Sequence, residues 1–146
     1  MQLAEMLADQ NVKLIVAGNH GADLQSPKNV IRLGEIQDQN ELARYYSLAD
    51  VTVLTSKRET FSMVTVESLC CGTPVAGFQA GGPEQIALPE FSAFVQWGDV
   101  RQLSETVTTF LKSALRDTTI AECSAQAYSK NTMAEGYMTL YNSVTK

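Results

Sequence analysis

Two glutamates, Glu59 and Glu67, stand where a strand is expected to give way to a helix. The spacing places Glu59 in the loop after a strand at Val51–Thr55 and Glu67 within a helix at Ser62–Cys71. The first turn of that helix, near Phe61–Val64, presents unpaired backbone N–H groups, which together with the helix dipole bind phosphate oxygens. A carboxylate accepts hydrogen bonds from both hydroxyls of a vicinal diol. The segment therefore suits a ligand that carries phosphates between two sugars.

The same pair of glutamates also has a purely structural interpretation. A strand, a turn containing Glu and a helix containing Glu occur by chance in many α/β proteins. Glu67 favours the functional interpretation, because a carboxylate among apolar neighbours is seldom buried without a partner. Its neighbours on the predicted helix are mostly apolar: Met63, Val64, Val66, Leu69 and Cys70.

Strands and helices are predicted to alternate around this segment. Val12–Gly18 is a continuous apolar run, which is typical of a strand buried on both faces. Further strands are predicted at Val30–Gly34, Val51–Thr55, Thr73–Phe78 and Ala93–Val95. Helices are predicted at Gln2–Gln10, Asn40–Ala49, Ser62–Cys71, from Asp99 to about Lys112, and twice more within Ala114–Lys146.

Several of these helices carry start signals. Asp38 with Glu41 forms the pattern of a capping box before the helix at Asn40–Ala49. Asp99 with Gln102 is predicted to cap the helix that runs to about Lys112, and Thr132 with Glu135 to open the last one.

This order predicts an α/β fold, a Rossmann-like parallel sheet with helices on both faces. Right-handed crossovers make the topology doubly wound, and ligands then bind outside the carboxyl ends of the strands. We expect residues 1–146 to form a single domain, in which 112–146 are C-terminal helices. The loops at the binding edge would be Gly18–Gly21, Gly34–Gln37, Ser56–Ser62 and Gln79–Glu84.

Bulk properties narrow the class of protein. A chain of 146 residues provides one ordinary domain. Its net charge of −5 argues against a sequence-independent nucleic-acid binder, although a helix N-terminus still binds a small anion. The three cysteines, Cys70, Cys71 and Cys123, give no complete disulfide framework and are interpreted as buried, reduced thiols. With no transmembrane run and no signal peptide in these residues, we expect a cytoplasmic location.

Other residues with possible chemistry have simpler interpretations. His20 is the sole histidine, lies in the Gly18–Gly21 loop, and is expected to be solvated. No spacing typical of a metal site is visible. The tyrosines at helical spacings are expected to pack the core: Tyr45, Tyr46, Tyr137 and Tyr141.

A set of short motifs resembles a known family. The chain contains Glu59-Thr60-Phe61-Ser62, then Glu67-Ser68, Gly72-Thr73-Pro74-Val75 and Gly81-Gly82. This order resembles the E-G-F-G, E-A, G-x-P-V and G-G elements of family 4 retaining glycosyltransferases (glycosyl transferases group 1), which have the two-domain GT-B fold. The resemblance covers about residues 12–112, and it also includes Ile15–Gly18, Val30–Gly34, Leu42–Val51 and Trp97–Val100.

The resemblance implies roles for individual residues. Glu59 would be catalytic and contact the transferred sugar near its anomeric centre, whereas Glu67 would hold the ribose diol. The segment Thr60–Met63, through the backbone amides of Phe61, Ser62 and Met63, would face the diphosphate and sugar. Ile36 would lie near the base and Gly18 near the phosphates. No metal and no cofactor are implied, since the nucleoside-diphosphate sugar is itself the substrate.

The implied function is the donor-binding, C-terminal part of a bacterial glycosyltransferase of polysaccharide or glycoconjugate biosynthesis. It would move a sugar to an acceptor hydroxyl with retention of configuration. The alternative is a non-catalytic nucleotide-sugar-binding or regulatory module. A generic Rossmann-like domain of the response-regulator or flavodoxin type would need an acidic phosphoacceptor pocket or a flavin loop after the first strand, and neither is visible.

The resemblance also implies parts that these residues do not contain. Family members carry an N-terminal acceptor domain, and their donor domain begins with a strand followed by an Arg and a Lys that neutralise the diphosphate. In a sheet of order 3-2-1-4-5-6 that first strand is central. Because exposed strand edges invite pairing, we expect the isolated chain to be inactive and to self-associate.

Overall fold

The computed structural model describes residues 2–18, 26–113 and 118–145. The strands are β1 Leu14–Ala17, β2 Val30–Gly34, β3 Thr52–Leu54, β4 Val75–Phe78 and β5 Ser92–Val95. The α-helices are α1 Gln2–Met6, α2 Gln39–Leu48, α3 Met63–Cys70, α4 Pro83–Ile86, α5 Val100–Ser113, α6 Thr118–Ala127 and α7 Lys130–Val144. Short 3₁₀ helices occupy Ala8–Gln10 and Pro89–Phe91. Every pairing between these strands is parallel, which confirms the predicted α/β class.

The strands form two sheets. β1 pairs with β2, and β3, β4 and β5 pair in that order. Within the described ranges no strand lies between β1 and β3, so each of these is the edge of its sheet.

β4 is the centre of the larger sheet and is buried along its whole length. Ala76 and Phe78 belong to an apolar cluster on one face, and Val75 belongs to a second cluster on the other. The first cluster includes Leu7, after α1, with Leu103 and Val107 of α5; the second includes Leu69 of α3 and Ile120 of α6. Because alternate residues of a strand point to opposite faces, this sheet is sandwiched between two helical layers.

β1 differs from its prediction. Its residues alternate between partly buried and exposed, and Ile15 is 40% exposed. The expectation of burial on both faces is therefore wrong, because the β1–β2 sheet has one face that the described part of the chain does not cover. A run of apolar residues indicates a strand, but it does not show whether anything packs against each face of that strand.

The helix starts agree with the sequence in two cases and differ in one. Asp38 accepts the N–H of Asn40 at 2.9 Å and Asp99 that of Gln102 at 2.9 Å, so both residues cap their helices as predicted. In the described residues Glu41 makes no bond back to Asp38, so the full capping box is not formed. The helix α7 begins earlier than predicted, because Ser129 caps it and accepts the N–H of Thr132 at 3.0 Å. Thr132 is therefore inside the first turn and is not the cap.

The outward face of α7 corrects a second prediction. Tyr137 is 55% and Tyr141 58% exposed, so neither packs in the core; their rings stack on each other with centroids 6.3 Å apart.

The three cysteines also differ from their prediction. Cys70 and Cys123 are exposed and Cys71 is partly buried, so the interpretation as buried thiols is wrong. Among the described residues, no helix combines the length and apolar character that crossing a membrane requires.

The unpaired sheet edges favour association between copies of the chain. We expect the 146-residue chain to self-associate in a concentration-dependent way, because edge strands offer N–H and C=O groups to another chain. Sedimentation velocity over a hundredfold range of concentration measures this directly. A chain that sediments as a monomer at every concentration contradicts the prediction.

Candidate functional site

The loops after β3 and β4 are joined through their backbones. The Glu59 N–H donates to the Ala80 carbonyl at 3.0 Å, and Glu59 and Gly81 form an isolated parallel bridge. A Cβ atom at Gly82 would lie 2.6 Å from the carbonyl carbon of Thr60 and 2.7 Å from the Phe61 nitrogen. Only glycine permits this approach, so the Gly-Gly pair has a packing role.

Glu84 fixes the turn that carries this glycine pair. Its carboxylate accepts the N–H groups of Ala80 at 3.0 Å and Gly81 at 2.8 Å. Burial alone would raise the pKa of Glu84, but the hydrogen bonds from backbone N–H groups outweigh it and lower the pKa below its usual value. The carboxylate is therefore charged at neutral pH and binds the turn. No role was predicted for Glu84 from the sequence, although its position two residues after the Gly81-Gly82 pair could have indicated one.

The start of α3 has an unusual backbone. Ser62 precedes the helix with φ +77° and ψ 79°, a left-handed conformation that costs a residue with a side chain about 1–2 kcal/mol. Its hydroxyl accepts a hydrogen bond from Thr65 at 3.0 Å, and no side chain caps the helix start. The glycine that the family motif has at this position is explained by this φ. The Thr65 N–H donates to the Ser62 carbonyl at 3.2 Å. The N–H groups of Met63 and Val64, at the start of the helix, have no intrahelical partner and are available to a ligand.

Glu59 has one satisfied and one unsatisfied oxygen. Ser56 Oγ donates to its Oε1 at 2.8 Å. Its Oε2 is buried and has no hydrogen-bond partner in the described part of the chain. Leaving a buried carboxylate oxygen unpaired is costly, and a ligand hydroxyl would remove that cost.

These features meet in one cleft of about 850 Å³, a volume typical of small-molecule sites. It is lined by Arg58, Glu59, Thr60, Phe61, Ser62, Met63 and Ala80. Phe61 is 52% and Met63 58% exposed, which leaves apolar surface open on the wall. The cleft therefore brings together the predicted residues from Glu59 to Met63.

The two cations of the same loop differ in their surroundings. Arg58 is part of the cleft wall, where a guanidinium would complement a phosphate. Lys57 lies over the Trp97 ring, with Nζ 4.7 Å from the ring centre, in a cation–π contact. Arg58 is thus the cation better placed for an anionic ligand.

Glu67 lies further along α3 and does not line the cleft. Its Oε2 accepts a hydrogen bond from the Tyr46 hydroxyl at 3.1 Å. Tyr46 had been expected in the core, whereas it is partly buried with its polar tip on a carboxylate. Burial, and then the negative charge of Glu67 and this hydrogen bond, raise the pKa of Tyr46, so the phenol stays a neutral donor.

The remaining predicted site residues belong to the smaller sheet. Gly18 follows β1 directly, with φ +109°, and its N–H donates to the Gly34 carbonyl at 2.7 Å. Ile36 follows β2 and is partly buried. Neither lines the cleft. His20 and Gly21 lie outside the described residues, and within the described ones no group of three or more His, Cys, Asp or Glu is placed to hold a metal.

Solved structures share this architecture. Anabaena HepE in complex with UDP-glucose matches with a TM-score of 0.73 and 21% identity, covering 97% of this chain and 44% of that one. Sucrose-phosphate synthase from Thermosynechococcus elongatus matches with a TM-score of 0.65 and 21% identity, covering 96% of this chain and 49% of that one. The α/β fold of this chain, with parallel strands flanked by helices, therefore matches part of the GT-B fold.

Residues 1–130 match the family model of glycosyl transferases group 1, and the chain belongs to that family. The D-inositol 3-phosphate glycosyltransferase of Streptosporangium roseum is 37% identical over 101 residues, 68% of this chain and 23% of that one. That of Mycobacterium sp. (strain KMS) is 30% identical over 124 residues, 76% of this chain and 28% of that one. The chain thus spans about a quarter of the length of these relatives.

The close contact at Gly82 leaves no room for a side chain. Gly82→Ala is expected to lower the free energy of unfolding by about 1–3 kcal/mol, because the added methyl group must displace the Thr60–Phe61 backbone. Urea denaturation followed by circular dichroism measures this. Gly136→Ala is the matched control, since a Cβ there has no atom within 4 Å, and in a helix it is expected to be neutral or stabilising by up to about 1 kcal/mol. Equal stability of Gly82→Ala and the unchanged protein would refute the packing role.

Proposed function

We propose that this chain is the donor-binding domain of a retaining, family 4 glycosyltransferase of the bacterial cytoplasm. In this proposal residues 1–146 form one domain, with 112–146 as its C-terminal helices. It binds a nucleoside-diphosphate sugar, and the intact protein transfers the sugar to an acceptor hydroxyl. The observation that carries the proposal is the buried, unpartnered Oε2 of Glu59 beside the uncapped start of α3, within one cleft.

The two ends of the cleft suit different parts of such a donor. The Glu59 carboxylate would accept hydroxyls of the transferred sugar, because one of its oxygens lacks a partner. The first-turn amides of α3, with Phe61, Ser62 and Met63, would bind the diphosphate, and Arg58 would add positive charge. Thr60 would contribute through its backbone, which Gly82 holds in place.

Other residues would bind the nucleoside. Glu67 would accept the two ribose hydroxyls, with Gly18 near the phosphates and Ile36 near the base. The solved structures of Anabaena HepE with UDP and with UDP-glucose support the choice of uridine nucleotides as first probes. The greater length of the curated relatives supports a further, acceptor-binding domain in the intact protein.

The chemistry assigned to this domain is positioning and electrostatic stabilisation. It would hold the anomeric carbon in place and stabilise the negative charge that develops on the leaving diphosphate. The helix amides and Arg58 provide that stabilisation without a metal ion or a cofactor in this proposal. Because the acceptor site would belong to another domain, we expect the isolated chain to bind donor without transferring sugar.

A thermal-shift panel of UDP, GDP, ADP and their sugars tests the proposal. At a hundredfold excess over Kd, a bound ligand stabilises by about 2.7 kcal/mol, which raises Tm by roughly 5 °C or more in a domain of this size. At least one nucleoside diphosphate should produce this rise. If no ligand raises Tm, the proposed donor site is refuted for this chain.

Two variants separate the roles of the glutamates. Glu67→Ala should lower the shift produced by every nucleoside diphosphate, because the ribose loses its acceptor. Glu59→Gln should leave the shift by the bare diphosphate unchanged and lower the additional shift that the attached sugar produces. Binding that survives Glu67→Ala undiminished removes the ribose role, and an unchanged sugar contribution in Glu59→Gln removes the sugar role.

A further inference from the structure

We propose that Tyr46 is a positioning residue whose phenol holds the Glu67 carboxylate in the orientation that receives the ribose hydroxyls. The inference rests on the proposed function, because it takes Glu67 as the ribose ligand. It adds a residue from a different helix, α2, to which neither the motif nor its spacing gave a binding role. Tyr46 itself is not assigned a contact with the ligand.

The geometry divides the two oxygens of Glu67 between different tasks. The Tyr46 hydroxyl donates to Oε2 at 3.1 Å, across the packed helices α2 and α3. In the described residues no hydrogen bond occupies Oε1 of Glu67. One oxygen is therefore held by the protein, and the other remains available as an acceptor.

The backbone of Tyr46 is held in place by a separate set of hydrogen bonds. The Tyr46 carbonyl accepts a hydrogen bond from Thr73 Oγ1 at 2.6 Å, and Thr73 is 1% exposed. The Thr73 carbonyl in turn accepts one from Ser68 Oγ at 2.9 Å, on the same helix as Glu67. The residues Tyr46, Thr73, Ser68 and Glu67 thus connect α2, the turn before β4, and α3. This connection positions the backbones of α2 and α3, which carry the phenol and the carboxylate.

Orientation of this kind has a physical value for binding. A free glutamate side chain loses rotamer entropy when a ligand orders it, and that loss weakens binding. A carboxylate already held by a donor has lost this freedom before the ligand arrives. The phenol serves throughout the physiological pH range, because burial and the neighbouring carboxylate keep it protonated.

Tyr45 provides a matched control on the same helix. It is partly buried like Tyr46, and in the described residues its phenol makes no hydrogen bond. Tyr45→Phe and Tyr46→Phe remove the same atom from adjacent positions and keep both rings. A difference between them therefore reports the bond to Glu67.

The test is isothermal titration calorimetry with the full chain. UDP, GDP and ADP are each compared with their 2′,3′-dideoxy forms, which lack both hydroxyls. Tyr46→Phe should raise Kd about tenfold for the ribose ligands, the size of one hydrogen bond to a charged group, and less than about twofold for the dideoxy ligands. In the Glu67→Ala background, which removes the acceptor of the Tyr46 hydroxyl, Tyr46→Phe should have no further effect, and Tyr45→Phe should bind like the unchanged chain.

The possible failures are distinguishable. If Tyr46→Phe binds normally while Glu67→Ala weakens binding, the positioning role is refuted and the proposed function stands. If Tyr46→Phe weakens ribose and dideoxy ligands equally, its effect is on the fold, and the inference is also refuted. If Glu67→Ala binds every nucleotide normally, the ribose role of Glu67 fails, and the role of Tyr46 fails with it.

Discussion

The contact of the Gly82 backbone with Thr60 and Phe61 is the constraint on which the candidate site depends. At this point the loops after β3 and β4 approach more closely than any side chain would allow. The hydrogen bond from the Glu59 N–H to the Ala80 carbonyl joins the two loops. The Glu84 carboxylate accepts the N–H groups of Ala80 and Gly81 and so stabilises the turn after β4. These contacts restrict the positions of the loop residues that line the cleft.

The strained start of α3 follows from the same constraint. With Glu59 held on one side and the helix packed through Leu69 on the other, the chain must turn sharply at Ser62. The left-handed conformation of Ser62 accomplishes that turn and leaves the first-turn amides without a side-chain cap. Strained residues of this kind cluster where a protein binds or reacts, which agrees with the position of Ser62 on the cleft wall.

The two-sheet arrangement divides the proposed donor site. The cleft belongs to the three-stranded sheet, which has apolar clusters on both of its faces. Gly18 and Ile36, in contrast, follow strands of the smaller sheet. The sugar would therefore lie on the better packed part of the molecule, the base on the part with an uncovered face, and the diphosphate between them, near both Gly18 and the start of α3.

The sequence predicted the features that depend on local order. The alternation of strands and helices, the caps at Asp38 and Asp99, and the gathering of residues from Glu59 to Met63 at a strand end all follow from pattern and spacing. The family motif also gave a signal for Ser62, because a glycine at that position implies a special backbone conformation.

The features that the sequence missed are those that depend on distant contacts. The exposure of Tyr137 and of Ile15 was missed because an apolar pattern shows which face is apolar, but not whether anything covers it. The hydrogen bond from Tyr46 to Glu67 spans 21 residues of sequence, and the packing role of Gly82 depends on a loop more than 20 residues earlier. Such pairings appear only once the chain is folded.

Amide chemical shifts in NMR locate a bound nucleotide on the protein residue by residue, and they therefore test the proposed donor site. On titration with UDP, the largest changes in chemical shift are expected at the first turn of α3, from Ser62 to Val64, and at Glu67. A separate groove of about 420 Å³, lined by Gln10, Val12, Thr108, Leu111 and Lys112, should remain unchanged. Changes concentrated in that groove, with Ser62 to Val64 unaffected, would contradict a donor site at the start of α3.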